Sequence, residues 1–197
     1  MFLNETKFKQ AVKRSYDGMG LQIEHFENGI LQVSGQGWIL EIDEQDLTKK
    51  CRAALVEFAG EIPPAGYGYT YCKGSQKEEI DPIGEEILLR GFTKGEEVED
   101  TRIMIQRHES CYDVFQKING REPILVRRDL HVIVDPLRVN RDDGELTPGM
   151  PVINGKLVIW NNDTMQFAIV EVPYHNTGEQ QFMQLINGKN MTWPFED

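Results

Sequence analysis

The chain has 197 residues, of which 40% are hydrophobic and 27% charged, and its formal net charge is −11. This composition is typical of a globular protein with a buried core and excludes a disordered chain. The excess of Asp and Glu argues against non-specific binding to nucleic acid or to an anionic membrane, which requires neutralising Lys and Arg.

The sequence indicates a cytoplasmic protein. No apolar run approaches the roughly 18 residues of a membrane span, and the first residues lack the basic and then apolar pattern of a signal peptide. The cysteines Cys51, Cys72 and Cys111 lie far apart. We therefore expect reduced, buried thiols, and neither a disulfide framework nor a zinc module.

The first half of the chain predicts helices and a sheet. In chain order we expect an amphipathic helix at 4–16, a β-meander at 21–42, an amphipathic helix at 44–60, a strand at 67–71, a short helix opening at Asp81 and Pro82, and a polar loop at 94–100. Asn4 is the expected cap of the first helix, and Asp43 or Asp46 that of the second. Asn28 followed by Gly29 is a strong hairpin signal, because both residues tolerate positive φ.

The second half predicts mostly strands. In chain order we expect strands at 102–107, 112–118, 124–126 and 131–134, a linker at 139–151, strands at 152–153, 156–160 and 164–172, and a helix at 179–186. The segment 108–118 also fits helical spacing, so a helix is the alternative there. Asn-Gly pairs at 119–120 and 154–155 predict two further hairpin turns.

Together these elements predict an α+β fold. The expected architecture is a mostly antiparallel β-sheet of hairpins and a meander, covered by the main amphipathic helix at 44–60 with short helices besides, because hairpins dominate and βαβ alternation is missing. Residues 1–140 would form the main α+β domain, followed by the linker at 139–151. Residues 147–197 would be either a C-terminal β-rich sub-domain or an extension of the same sheet.

Charged residues are unevenly distributed along the chain. The segment 76–100 carries nine acids against three bases; the acids are Glu78, Glu79, Asp81, Glu85, Glu86, Glu96, Glu97, Glu99 and Asp100. The segment 116–141 carries six bases against three acids, and its basic patch consists of Arg121, Arg127, Arg128, Arg138 and Arg141. An acidic face can occupy the basic surface of a partner. The alternative is that both segments are simply solvated.

Three tyrosines, Tyr67, Tyr69 and Tyr71, share one face of the predicted strand at 67–71. An exposed aromatic face anchors protein partners, so we include these tyrosines with the nine acids as candidate partner-binding residues. The alternative is that the tyrosines pack against the helix at 44–60.

Cys111 with His108, or with His131, is the one combination of a nucleophile and a base, and Asp113 or Asp129 would orient the imidazole. No family signature surrounds Cys111, and a free cysteine more often fills a core. We therefore predict no catalytic residue. The histidines lack metal-site spacing and the glycines lack phosphate-loop spacing, so we predict no metal and no cofactor.

These observations favour an acidic intracellular protein-binding module over an enzyme, with a basic protein as its partner rather than nucleic acid or a membrane. The sharper hypothesis is an inhibitor that occupies the basic or nucleic-acid-binding surface of that partner. The first alternative is a small enzyme or ligand-binding domain whose site combines distant residues such as Tyr69, His108, Cys111 and Arg127. The second alternative is a structural subunit of a larger assembly.

Overall fold

The computed structural model describes residues 1–80, 89, 94–134, 148–174 and 177–191. In chain order its elements are α1 (Glu5–Asp17), β1 (Leu21–His25), β2 (Ile30–Gly35), β3 (Trp38–Asp43), a 3-10 turn (Glu44–Asp46), α2 (Lys49–Ala59), β4 (Tyr67–Tyr71), β5 (Glu78–Ile80), β6 (Glu96–Arg107), β7 (Ser110–Lys117), β8 (Pro123–Arg127), α3 (Arg128–His131), β9 (Val152–Asn154), β10 (Leu157–Asn161), β11 (Met165–Val170) and α4 (Thr177–Ile186).

All eleven of these strands belong to one sheet with the order β5-β4-β1-β2-β3-β11-β10-β9-β6-β7-β8. Every neighbouring pair is antiparallel, which confirms the predicted α+β class. The strands at 152–170 lie between β3 and β6. The division into 1–140 and 147–197 stays a prediction, and most of the predicted linker, 139–147, lies outside the described residues.

The main core lies on the sheet face beneath α1, α2 and α3. Cross-strand partners such as Leu40 and Phe167 share this face, and they form one buried cluster with Phe8 of α1 and Leu55 of α2. The helical residues come from the apolar stripes that the sequence predicted. This burial is what holds the helices against the sheet.

The opposite face of the sheet carries a row of buried polar side chains. Glu24, Gln32, Glu41 and Gln166 are cross-strand neighbours on β1, β2, β3 and β11, and each is less than a tenth exposed. The backbone N–H of Leu89 donates to Oε2 of Glu41 at 2.6 Å. A buried carboxylate requires such donors.

The two ends of the sheet differ. At β8, the backbone N–H of Val172 donates to the carbonyl of Leu125 at 2.9 Å, and the hydroxyl of Tyr174 donates to the carbonyl of Pro123 at 2.5 Å. The segment 171–174 therefore lies along β8 and satisfies part of its backbone. At the other end, no strand within the described ranges pairs with the outer side of β5.

The second helix begins later than predicted, and neither Asp43 nor Asp46 caps it. Residues 44–46 form a 3-10 turn, and α2 begins at Lys49. The hydroxyl of Thr48 accepts the N–H of Cys51 at 3.3 Å and is the true cap. Extended, buried Leu47 separates the two helical segments.

The prediction of a polar loop at 94–100 is wrong, because β6 begins at Glu96. The strand pairs with β9 on one side and β7 on the other, and Val98 is fully buried. These pairings outweigh the polar composition. The next strand, β7, pairs with both β6 and β8, and this pairing excludes the helical alternative for 108–118.

The prediction of a strand at 131–134 is also wrong, because these residues form the end of α3 and the turn that follows. The helical geometry places Leu130 and Ile133 on one side, and both are buried. The carbonyl of Ile133 accepts the N–H of Asn4 at 2.7 Å. A short apolar run is ambiguous between a strand and a buried turn.

Most of the remaining described elements agree with the predictions, but the short strand β5 (Glu78–Ile80) was not predicted. Asn4 caps α1 by accepting the N–H of Lys7 at 3.2 Å, and the meander, the β7–β8 hairpin, the strands β9 to β11 and α4 are confirmed. The predicted helix that opens at Asp81 lies outside the described residues, apart from Leu89.

Candidate functional site

The β5 end of the sheet, which no other described strand pairs with, carries exposed acids. Glu78 and Glu79 on β5 are both exposed, and neither forms an ion pair within the described residues. Glu79 lies opposite Tyr69 on β4, so its side chain is on the tyrosine face. Tyr67, two residues earlier on that face, is 47% exposed. We call Glu78, Glu79 and Tyr67 the acidic edge.

The tyrosine face grades from core to surface. Tyr71 is 4% exposed and belongs to the main core, and burial raises the pKa of its hydroxyl. The ring of Tyr69 lies 6.2 Å from that of Tyr71 and is covered by the Lys77 ammonium at 4.3 Å. That ammonium also binds Glu61 at 2.7 Å. Of these three tyrosines, Tyr67 is therefore the one that the described structure leaves exposed to a partner.

The acids on β6 are partly neutralised by the predicted basic segment. Glu96 lies 3.8 Å from the Lys117 ammonium, and Glu99 pairs with Arg121. Glu97 and Asp100 are exposed. The remaining acids of the predicted set, Asp81, Glu85 and Glu86, lie outside the described residues, as do Arg138 and Arg141 of the basic patch.

The acidic and basic segments of the sequence therefore contact each other at β6 and β7, and they do not form two separate faces there. The acids on β5 differ, because no base among the described residues neutralises them.

Arg127 and Arg128 lie apart from Arg121 and bind buried or half-buried acids. The guanidinium of Arg127 donates to both carboxylate oxygens of Asp129, from Nε at 3.1 Å and from Nη2 at 2.7 Å. The guanidinium of Arg128 donates to Oδ1 of Asp113 at 2.6 Å.

Among the residues considered for a catalytic site at Cys111, the structure brings together the base His131 and the orienting acid Asp113. Nδ1 of His131 lies 2.7 Å from Oδ2 of Asp113, and the imidazole stacks on Trp160. His108 is in the β6–β7 turn, with a positive φ of 49°. The carboxylate of Asp113 thus holds the partly buried imidazole of His131, whose side chain is 21% exposed.

The expectation of buried thiols holds only for Cys51. All three cysteines are free, and Cys72 and Cys111 are partly exposed. Burial raises the pKa of Cys51 to about 11, so this thiol stays protonated at neutral pH. Among the residues placed by the structure, no group of three His, Cys, Asp or Glu side chains has the geometry of a metal site.

Arg14 is a site residue that the sequence patterns above did not single out. This residue of α1 pairs with Asp129, so that two arginines, Arg14 and Arg127, converge on one carboxylate. A signal was present, since Lys7, Gln10, Lys13 and Arg14 follow helical spacing along one stripe. Of the four residues proposed for a distant-residue site, Cys111 and Arg127 line a common cleft, whereas Tyr69 is on β4 at the other end of the sheet order.

Comparison with known proteins establishes no family. No family model matches the chain, and no curated protein matches it. Among solved structures it is similar to the DNA polymerase III beta chain of Streptococcus pneumoniae TIGR4, at 8% identity and a TM-score of 0.36 over 91% of this chain and 66% of that one. It is also similar to the DNA polymerase beta subunit of Streptococcus pyogenes, at 9% identity and a TM-score of 0.30 over 90% of this chain and 66% of that one.

The chain thus spans just under two thirds of the length of these two proteins. At such identities and TM-scores, the likeness carries neither fold nor activity to this chain. None of the helices described in the structure is long and apolar enough to cross a membrane.

Proposed function

We propose that this chain is a protein-binding module whose acidic edge takes an extended, basic segment of a partner protein. One observation carries the proposal: Glu78 and Glu79 stay exposed and without an ion pair in the described structure, on the strand that ends the sheet. On β6, Glu96 and Glu99 are paired within the chain, and the exposed Glu97 and Asp100 lie on a strand that has neighbours on both sides.

An open sheet edge binds an extended segment through main-chain hydrogen bonds, and the side chains beside it supply specificity. Two carboxylates select Lys or Arg at neighbouring positions of such a segment. Tyr67 adds an aromatic contact at the end of the row. In this proposal the basic segment belongs to a surface that the partner uses elsewhere, so that binding inhibits the partner.

The free thiols of Cys51, Cys72 and Cys111 support a reducing compartment, and we place this binding in the cytoplasm.

The test is a pull-down from lysate of the source cell, read by mass spectrometry, with the full chain and two charge-matched variants. The first variant, Glu78→Lys with Glu79→Lys, reverses the acidic edge. The control, Glu97→Lys with Glu109→Lys, makes the same change of charge at two exposed acids distant from β5 along the sheet order.

We expect a basic protein to be retained by the wild type and by the control, and to be lost with the β5 variant. Retention should also vanish near 1 M salt, where the screening length falls to about 3 Å. A partner that the β5 variant retains, or one that high salt does not release, contradicts the proposal.

A further inference from the structure

A second surface, away from the acidic edge, has the opposite character. A cleft of about 500 Å³ is lined by Arg14 of α1, Arg127 of β8 and Arg128 of α3, together with Asp129 and Cys111. This volume is within the range of about 300–1,000 Å³ that is usual for small-molecule sites.

The three guanidiniums of this arginine cleft are held in place. Arg14 and Arg127 both bind Asp129. Arg128 binds Asp113, which is 3% exposed and is itself held by His131. Fixing a long side chain beforehand lowers the entropy cost of binding a ligand.

These guanidiniums also keep donors for a ligand. An arginine has five N–H donors. Within the described residues Arg128 donates once, Arg14 twice and Arg127 three times, so each keeps at least two N–H groups. The side chains of Arg14 and Arg128 are 46% and 49% exposed. The fork of a guanidinium matches two oxygens of a carboxylate or phosphate, and Asp129 already shows that Arg14 and Arg127 can converge on one anion.

The charge around the cleft is positive although the whole chain is acidic. A neighbouring depression of about 300 Å³ shares Arg14 and Asp129 with the cleft and adds Lys7 and Lys13. Together the two carry five basic side chains against the acids Asp129 and Glu109. Asp113 and Asp17 do not line either depression but pair with Arg128 and Lys13. The formal charge of this group stays positive when both acids are included.

We propose that the arginine cleft binds a phosphoryl group, either as free phosphate or on a small molecule. A tetrahedral, doubly charged oxyanion has more oxygens and more charge than a carboxylate to share among Arg14, Arg127 and Arg128. Asp129 then has two roles: it positions two guanidiniums, and it competes with the ligand for them.

The test is titration calorimetry at constant ionic strength with inorganic phosphate, pyrophosphate and glycerol phosphate. Arg128→Gln removes a guanidinium, and we expect it to raise Kd by at least about tenfold, as for the loss of a charge-assisted hydrogen bond. Asp129→Asn removes the competing charge, and we expect it to lower Kd. Arg52→Gln is the control, because Arg52 is 40% exposed and pairs with Glu44 outside the cleft.

Equal effects of Arg128→Gln and Arg52→Gln overturn the proposal, as does the absence of binding by all three probes at millimolar concentration. A single-stranded oligonucleotide is titrated in the same way. If it binds while the three small probes do not, the proposal is also overturned. Tighter binding of glycerol phosphate than of phosphate assigns the ligand to a small ester, and equal binding assigns it to the phosphoryl group alone.

Two further variants keep the result interpretable. If Asp129→Asn lowers Tm strongly, Arg14→Gln takes its place, with the expected rise in Kd. Glu78→Lys with Glu79→Lys should leave Kd for phosphate unchanged, which separates this site from the acidic edge.

Discussion

Gly35 sets how closely α1 approaches the sheet. The indole N–H of Trp38 donates to the Ser15 hydroxyl at 3.1 Å, and a Cβ on Gly35 would lie 2.7 Å from both Ser15 Cβ and Trp38 Nε1. Because Ser15 and Trp38 are 2% and 1% exposed, neither can move aside without disturbing packed neighbours.

We therefore expect Gly35→Ala to lower the free energy of unfolding by about 1–3 kcal/mol, the usual cost of overpacking. Urea denaturation measures this change. Gly149→Ala is the control, since no atom lies within 4 Å of its added Cβ, and we expect a change within about 0.5 kcal/mol. Equal losses for the two variants would contradict the account.

Asp113 makes stability depend on pH. Burial raises the pKa of its carboxyl, but hydrogen bonds with His131 and Arg128 outweigh burial and hold the pKa below its usual value. A carboxyl with a lower pKa in the folded chain stabilises the fold above its unfolded pKa of about 4, and this contribution is lost as the pH falls through the folded value.

We expect Asp113→Asn to lower the free energy of unfolding at neutral pH by about 1–3 kcal/mol. The difference between wild type and variant should shrink below about pH 4. Urea denaturation over a pH series measures it, and a difference that stays constant down to about pH 3 would rule out this role.

At the scale of elements, the sequence could predict an element only when the residues that define it lie close together along the chain. The hairpin at Asn28 and Gly29 is local, and its turn residues announce it. The start of β6 is determined by residues far away in the sequence, because Glu96 and Glu97 pair with Ile153 and Val152. No pattern within the segment 94–100 reveals that pairing. Thr48 was missed as a cap because nearby aspartates are equally good cap residues.

The last helix is joined to the β6–β7 hairpin through a buried ion pair. Nε of Arg107 lies 2.6 Å from Glu179 of α4, and the two side chains are 8% and 9% exposed. The guanidinium also lies 4.6 Å over the ring of Tyr112. We expect Glu179→Ala to cost about 3–5 kcal/mol, because it leaves a buried cation unpaired.

Replacing both partners by Met should recover much of this loss, since a buried pair can be exchanged for apolar packing. Urea denaturation gives the energies, and hydrogen exchange of the α4 amides shows whether the helix detaches. If the double variant is no more stable than Glu179→Ala, the cost does not come from the unpaired arginine.

At the scale of the whole molecule, the order of strands links the two ends of the sequence. β11 pairs with β3 through partners such as Phe167 and Leu40, and both are fully buried in the main core. A chain that stops at residue 147 would lack β9 to β11 and would expose the side of β3. We expect this fragment not to fold by itself, because its core would be open to water.

Far-UV circular dichroism and NMR dispersion of residues 1–147 test this expectation. Adding residues 148–197 in trans should restore folding. A cooperative unfolding transition of the fragment alone would instead support the division at 139–151 into separate domains.

The candidate site was predictable only in part. The sequence indicated the acids of 76–100 as one set, but it could not distinguish Glu78 and Glu79 from Glu96 and Glu99, whose bases follow later in the chain. It placed Arg127 and Arg128 in a basic patch, yet Arg14 reaches them only because α1 packs near α3. Such proximity arises from the tertiary fold alone.

The segment 171–174 along β8 has a consequence for self-association. Within the described residues, the β8 end of the sheet is partly covered and the β5 end has no partner strand, so the β5 end is the more accessible one for adding a strand. Two copies that meet through β5 would use both open edges, because such a contact employs the same surface twice, and no third copy could follow. Like charges on Glu78 and Glu79 would oppose even that pair. For the described strands, we therefore expect association through β5 to stop at two copies rather than continue into a fibre.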